Sequence, residues 1–501
     1  MRSSPIAVVV INDGRPHVIA GNEADNMEVA RYWAQNIREH ARNVDGSEPE
    51  VIVGSETVKS VRTGQRIGEE LRRRGCRSVV MAYNVWDFPY LVWPFFSTFG
   101  RDAPVLSLST NNGKRPGNVG LLATDGALRQ AGIRTHRIVG EAGNQETQAA
   151  VLDWVRGAQA VTTMRGEVFG LYGGHSMGME TGWFHLVPVI QTFGVTTYHI
   201  DQFLLVEQMK EVDETEVERG FQWFTRLLDD RILYDDDMLT VESLKKQIRL
   251  YIAMRELNAE NGFEFCGLKG QRELTEYVTL GDVPEMLMND PYDWNGAKLP
   301  TVCATEADAF AAISMEMLKY ISGGLPVLFM DVRLYHPDLD LWDLVNSGNH
   351  ASWYAALSDH PEDNFARIRL HPALKLYFKA GGASVEFNAA PTDLTFCRLG
   401  LWSNELYMVI CTGRSVELSA DEQTRINAMT DPTWPHVHAR LDCSYEEFLS
   451  VFPCNHILAV QGERTRALVW ACEMAGITPM VLGTAAKQTV VPVWHRLGAQ
   501  G

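Results

Sequence analysis

TVCATEADAFAAISMEMLKYISGGLPVLFMDVRLYH, residues 301–336, is the stretch on which the fold turns. Thr301 to Thr305 reads as a short strand and Ala307 to Ile321 has helical periodicity. Gly323 and Gly324 supply a helix stop, and Leu325 to Met330 is a buried-strand run. Together they predict a βαβ unit with parallel strands and a right-handed crossover. Glu306 and Asp331, each directly after its strand, then emerge on one rim, where open α/β sheets bind ligands. If the strands are neighbours, about 4.8 Å apart, the two carboxylates can share a cation. Two oxygen ligands suit Mg or Mn better than zinc or copper. The alternative is helix capping, in which Thr305 and Asp308 form a capping box and Glu306 and Asp331 are ordinary first-turn acids.

Upstream, the same alternation continues. Ile6 to Ile11, Val51 to Gly54, Ser78 to Tyr83 and Val105 to Leu108 read as strands. Between them lie helical patterns such as Glu28 to Arg42 and Val58 to Arg74. That pattern predicts a doubly wound parallel sheet over residues 1–160, with turns at Thr110 to Gly117 and Gly140 to Asn144. A second α/β unit is expected over 161–335, including a charged helical stretch from Glu207 to Glu260. From 336 to 501 the texture changes to short strand-like runs, at Ser384 to Phe387, Asp393 to Leu399 and Leu406 to Thr412, before a helix at Glu463 to Ala475. The fold class expected is α/β, two doubly wound domains followed by a β-rich, barrel-like C-terminal domain.

Composition narrows the function. The chain has 501 residues, 46% hydrophobic and 22% charged, enough for two or three cores. With 63 acidic against 45 basic residues its formal charge is -18, which repels a phosphate backbone and predicts no nucleic-acid or membrane partner. No apolar run approaches the ~18 residues of a membrane span, and Ile6 to Ile11 is too short for a signal-peptide core. Eight cysteines without a CxxC pair predict buried thiols and a cytoplasmic location.

Other motifs carry less. In VFPCNHILAV, the pair Asn455-His456 interrupts an apolar run, and a lone histidine there is more often a hydrogen-bonded core residue than a ligand. The glycines of Gly170 to Gly182 lack the G-x-G-x-x-G spacing of a dinucleotide loop, so no nucleotide cofactor is expected. His436 and His438 have a spacing that suits a strand-borne metal pair, but Trp434 and Pro435 predict a turn.

TEADAFAAISMEMLKYISGGLPVLFMDVR, LVNSGNHA (344–351), YFKAGGASVEF (377–387) and PCNH (453–456) resemble, in this order, segments of L-fucose isomerases and, more loosely, L-arabinose isomerases. IAVVVINDGR and GGHSMGMETG are similar too. The resemblance implies a metal-dependent aldose-ketose isomerase working through a cis-enediol(ate). It further implies self-association as a trimer or hexamer, with active sites at subunit interfaces. It places a divalent cation, usually Mn2+ with Mg2+ or Co2+ as alternatives, on Glu306, Asp331 and His456, and makes Glu306 and Asp331 the acid/base pair. It also implies sugar contacts by Gln271, Ser347, Tyr377 and Asn455, with Trp86 an apolar wall supplied by a neighbouring subunit.

Two departures bear on the substrate. Lys269 stands where the family tends to have glutamine, and a valine replaces its strand-end arginine, leaving Arg15 as the nearest substitute. The expected substrate is therefore a fucose- or arabinose-like sugar or a C6-modified hexose, even an anionic, sulfo-type one paired by Lys269. A non-catalytic sugar-binding protein that keeps the fold is the competing expectation.

Overall fold

The computed structural model describes residues 3–110, 115–347 and 350–483. The turn expected at 110–117 and the segment 344–351 thus lie partly outside the described residues. The chain divides into two compact units, residues 1–163 with 466–475, and residues 164–465 with the remainder.

In the first unit, β1 (Ile6–Ile11), β2 (Val51–Val53), β3 (Ser78–Tyr83), β4 (Val105–Ser109) and β5 (Thr135–Val139) form one all-parallel sheet in the order β2-β1-β3-β4-β5. Every residue of β1 and β3 is buried, as the unbroken apolar runs require of strands covered on both faces. The helices Val61–Arg73 and Val92–Phe99 pack through Gly68, where a Cβ would lie 2.5 Å from the Phe95 carbonyl oxygen. Strand order reverses between β1 and β3, so the loops after Ile11 and Tyr83, which carry Arg15 and Trp86, flank the switch point of this sheet.

The second unit holds β6 (Val168–Tyr172), β7 (Thr196–Ile200), β8 (Phe265–Leu268), two short strands β9 (Tyr292–Asp293) and β10 (Gly296–Ala297), and β11 (Cys303–Thr305). β11-β8-β6-β7 is a second parallel sheet. The charged stretch from Glu207 to Glu260 resolves into parts of three helices, Gln202–Glu211, Glu214–Leu228 and Val241–Asn261.

Then come β12 (Leu328–His336), β13 (Leu341–Val345), β14 (Arg369–Pro372), β15 (Ala383–Glu386), β16 (Thr392–Trp402), β17 (Glu405–Ser415), β18 (His436–Leu441), β19 (His456–Gln461) and β20 (Thr478–Val481). Their main sheet runs β16-β19-β12-β13-β18-β17-β20, and a further pairing of β16 with β17 closes six of these strands into a barrel. The barrel-like C-terminal region expected from the strand pattern is present.

The βαβ reading of residues 301–336 needs correction. β11 and β12 lie in different sheets, and β12 pairs antiparallel with β13 and β19. Consequently Asp331 is not at a strand end; it lies within β12, which continues to His336. The apolar run Leu325–Met330 fits a buried strand of either type, so periodicity could not separate them. Among the described residues, no helix is long and apolar enough to cross a membrane.

Candidate active site

Glu306 follows β11 directly. It and Ala307 both take left-handed backbone conformations, φ +55° and +52°, which swing the chain from strand into the helix Ala309–Ser322. The Ala307 amide donates to the Leu268 carbonyl, 2.9 Å, at the end of neighbouring β8. A close approach makes this possible, for a Cβ on Gly267 would lie 3.2 Å from Ala307 Cα. Asp308, not Glu306, caps the helix, accepting from the Ala311 amide at 2.9 Å. The capping alternative thus applies to Asp308 alone.

His456 opens β19 directly opposite Asp331 on β12. Its Nε2 lies 3.3 Å from Asp331 Oδ1 and 3.4 Å from Glu306 Oε2, while its Nδ1 is 2.6 Å from Asp308 Oδ2. Asp308 is fully buried and paired with the equally buried Arg398, 2.9 Å, which also donates to the Thr181 carbonyl. Burial alone would raise the Asp308 carboxyl, but Arg398 and His456 bring it down to about 2. Burial would likewise lower the His456 pKa, yet hydrogen bonds to Asp308, Asp331 and Glu306 hold it well above the ordinary histidine range. Two carboxylates therefore converge on one nitrogen whose ring is fixed from behind by a third, the arrangement that orients a metal-ligating histidine. The donor set fits a divalent cation, which would take the place of the proton on Nε2.

Around this centre, Asn455 Nδ2 donates to Asp331 Oδ1 at 3.3 Å, and Asn346 Nδ2 approaches Oδ2 at 3.4 Å. Ser347, half-buried, follows Asn346. Lys269 follows β8 as Glu306 follows β11, at the same register, but its ammonium is engaged by Glu273 at 2.8 Å. Gln271 Oε1 accepts from the Thr275 hydroxyl at 3.3 Å. Tyr377 is half exposed, its ring 6.2 Å from that of Trp434, which lies under the Arg333 guanidinium at 5.3 Å. In the first unit, Arg15 pairs with Asp13 and stands over the Phe88 ring at 5.7 Å, and Trp86 makes an edge contact with that ring at 6.1 Å.

Sequence reasoning missed Asp308 as a partner of His456, together with Arg398 and Trp434. Only a charged residue within the apolar run LTFCRLGL could have signalled Arg398. A second correction concerns His436 and His438. They sit on strand β18, not in a turn, because Pro435 precedes the ladder without interrupting it. Both are buried against Asp343, and burial lowers the His438 pKa to about 4.

Family models describing the first N-terminal, second N-terminal and C-terminal domains of L-fucose isomerase match residues 3–166, 251–323 and 344–481. The chain is similar to L-fucose isomerase of Bacteroides thetaiotaomicron, 25% identical over 82% of this chain and 81% of that protein. It is 23% identical to that of Haemophilus influenzae over 95% and 92%. For Streptococcus pneumoniae the figures are 25%, 84% and 82%.

Proposed function

Because the chain belongs to the L-fucose isomerase family, and so is an aldose-ketose isomerase, we propose that it acts on a fucose- or arabinose-like aldose, or on a hexose modified at C6, with Glu306, Asp331 and His456 holding a divalent cation, Mn2+ by preference. The observation that carries this reading is the convergence of the Glu306 and Asp331 carboxylates on His456 Nε2. When bound, the cation supplies Lewis-acid stabilisation of negative charge on the sugar's O1 and O2.

The rest of the work falls to side chains. Glu306 and Asp331 take a proton from C2 of the aldose and return it to C1, by way of a cis-enediol. Neither carboxylate is deeply enclosed, 23% and 20% of each side chain being exposed, so sugar can reach both. Asn455 and Asn346 orient Asp331, and Asp308 with Arg398 fixes the His456 ring. Tyr377, Gln271 and Ser347 bind hydroxyls or C–H faces of the sugar. Trp86 serves as an apolar wall for a neighbouring chain's substrate in a homo-oligomer, and Arg15 contacts the substrate's distal hydroxyls. Lys269 selects the C6 end, and an anionic group there would compete with Glu273 for its ammonium.

The test is isomerisation of neutral and C6-charged aldoses by chelator-treated protein, with and without manganese. Turnover that returns with the metal is expected; turnover unaffected by chelation rejects the metal reading, and activity confined to unmodified sugars rejects a C6-charged substrate.

A further inference from the structure

Away from Glu306, Asp331 and His456 lies another convergence of ligating atoms. Asp343 on β13 is the direct cross-strand partner of His438 on β18, and His436 stands two residues before it on the same face. All three side chains are buried, with Asp343 and His436 completely enclosed. One ligating atom from each falls within 4.8 Å of the others.

With a neutral His436 ring the hydrogen bonds of this cluster are one hydrogen short. His436 Nε2 lies 2.8 Å from the Asp431 carbonyl oxygen, which can only accept, so Nε2 carries the ring hydrogen. Its Nδ1 then faces Asp343 Oδ1 at 2.8 Å, acceptor against acceptor, unless a second proton or a cation lies between them. His438 Nε2 is 3.7 Å from that same oxygen and 3.0 Å from Asn427 Oδ1. The Asn427 amide is turned this way because its Nδ2 donates to Asn388 Oδ1 at 3.2 Å. Asp343 Oδ2 is occupied by the Thr430 hydroxyl at 2.9 Å, which leaves Oδ1 for the cluster.

One ligating atom each from Asp343, His436 and His438 thus lies within 4.8 Å of the others, and Asn427 Oδ1 sits 3.0 Å from His438 Nε2. Separations of 2.8, 3.0 and 3.7 Å bracket the roughly 3.3 Å expected between ligands of a tetrahedral ion with bonds of about 2.0–2.1 Å. A histidine whose far nitrogen donates to a backbone carbonyl is also the usual outer support of a metal-bound imidazole. His336 lies on this face of the sheet as well, and its buried Nε2 has no hydrogen-bond partner among the described residues.

We propose that Asp343, His436 and His438, with Asn427 Oδ1 as fourth donor, form a second, structural divalent-metal site, and that its ion is zinc. Two imidazoles with two oxygens, closed to solvent, match zinc better than the harder cations, which take oxygen sets. The ion would tie residues 427–436, and with them Trp434, to the barrel sheet. Across the sheet His436 is two ladder steps from Asp331, by way of Val345, roughly 10 Å at ordinary strand spacing, so the two sites are separate. The proposal does not depend on the assignment of Glu306.

Zinc per chain decides it, measured by elemental analysis of full-length protein equilibrated with zinc and then desalted. The wild type should hold one more zinc than H436Q/H438Q, and E306Q should keep that zinc. Equal zinc in the wild type and H436Q/H438Q overturns the proposal. If the double variant does not fold by circular dichroism, H438N replaces it under the same criterion. A wild-type protein that retains no zinc after desalting also overturns it, whatever the variants do. Residues 427–436 should become more susceptible to limited proteolysis in the variant that has lost the ion, and unchanged cleavage there would reject the tying role.

Discussion

Glu306 holds a conformation that side-chain-bearing residues seldom adopt, and Ala307 after it does the same. Such residues cost of order 1–3 kcal/mol each and persist where surrounding contacts enforce them, here the hydrogen bond from the Ala307 amide to the Leu268 carbonyl. Glu306→Gln keeps the volume and the backbone but, on the proposed assignment, would remove a ligand and a base together. Its turnover should fall by about 10²–10⁴, with unchanged circular dichroism; residual activity within tenfold of wild type rejects the assignment. Arg398 is a positioning residue whose value lies in compensating Asp308. Arg398→Met strands a buried carboxylate and should lower unfolding stability by about 3–5 kcal/mol, whereas adding Asp308→Asn to that variant should recover part of the loss in denaturant titrations. Lys269→Met should reduce kcat/KM roughly 10–100-fold for a C6-anionic aldose and leave a neutral aldose unaffected; equal loss on both makes Lys269 structural. Glu306 and Asp331 drew notice as acids following apolar strand-like runs, although the strand-end position expected of Asp331 was wrong, and His456 became a candidate only through the resemblance of PCNH to the family. Asp308 was legible only as a helix cap, since nothing local to TEADAF reports a histidine 148 positions away.

The loop after β3 shows how an element stores pH dependence. Asp87 is buried there beside the helix Gly117–Gln130, where a Cβ on Gly120 would strike its carboxylate, and it accepts from the Thr124 hydroxyl. Burial raises its pKa from 3.8 to about 7, with Thr124 opposing and Asp13 adding to the rise. The folded state thus binds a proton that the unfolded chain has released. Asp87's contribution to stability is full below about pH 4 and is lost as pH rises through about 7. The whole effect is at most roughly 4 kcal/mol. Asp87→Asn cannot titrate, so its stability relative to wild type should improve between pH 5 and pH 8 in urea titrations. A difference that stays constant over that range rejects the account. Short unbroken apolar runs were legible as buried strands, as with Ile6–Ile11 and Ser78–Tyr83. β18 was misread because a proline adjoining a strand looks locally like one inside a turn.

At the scale of the whole molecule, the proposed oligomer predicts complementation. If Trp86 acts on a neighbouring chain's sugar, co-expressed Glu306→Gln and Trp86→Ala chains should form mixed assemblies with sites carrying neither substitution. Activity should then exceed that of either variant alone, up to roughly a quarter of wild type. No gain over the separate variants rejects shared sites. The parallel sheets of both units and the strand-rich end follow from the sequence itself, because alternation of short apolar runs with amphipathic segments is a local property of consecutive residues. Tertiary structure decided the rest. It placed β12 in an antiparallel barrel, set Asp331 across from His456, put Arg398 behind Asp308 and turned His436 and His438 toward Asp343. Those outcomes depend on pairings between segments far apart in the chain, and an apolar strand pattern specifies that a strand is buried without specifying beside which partner.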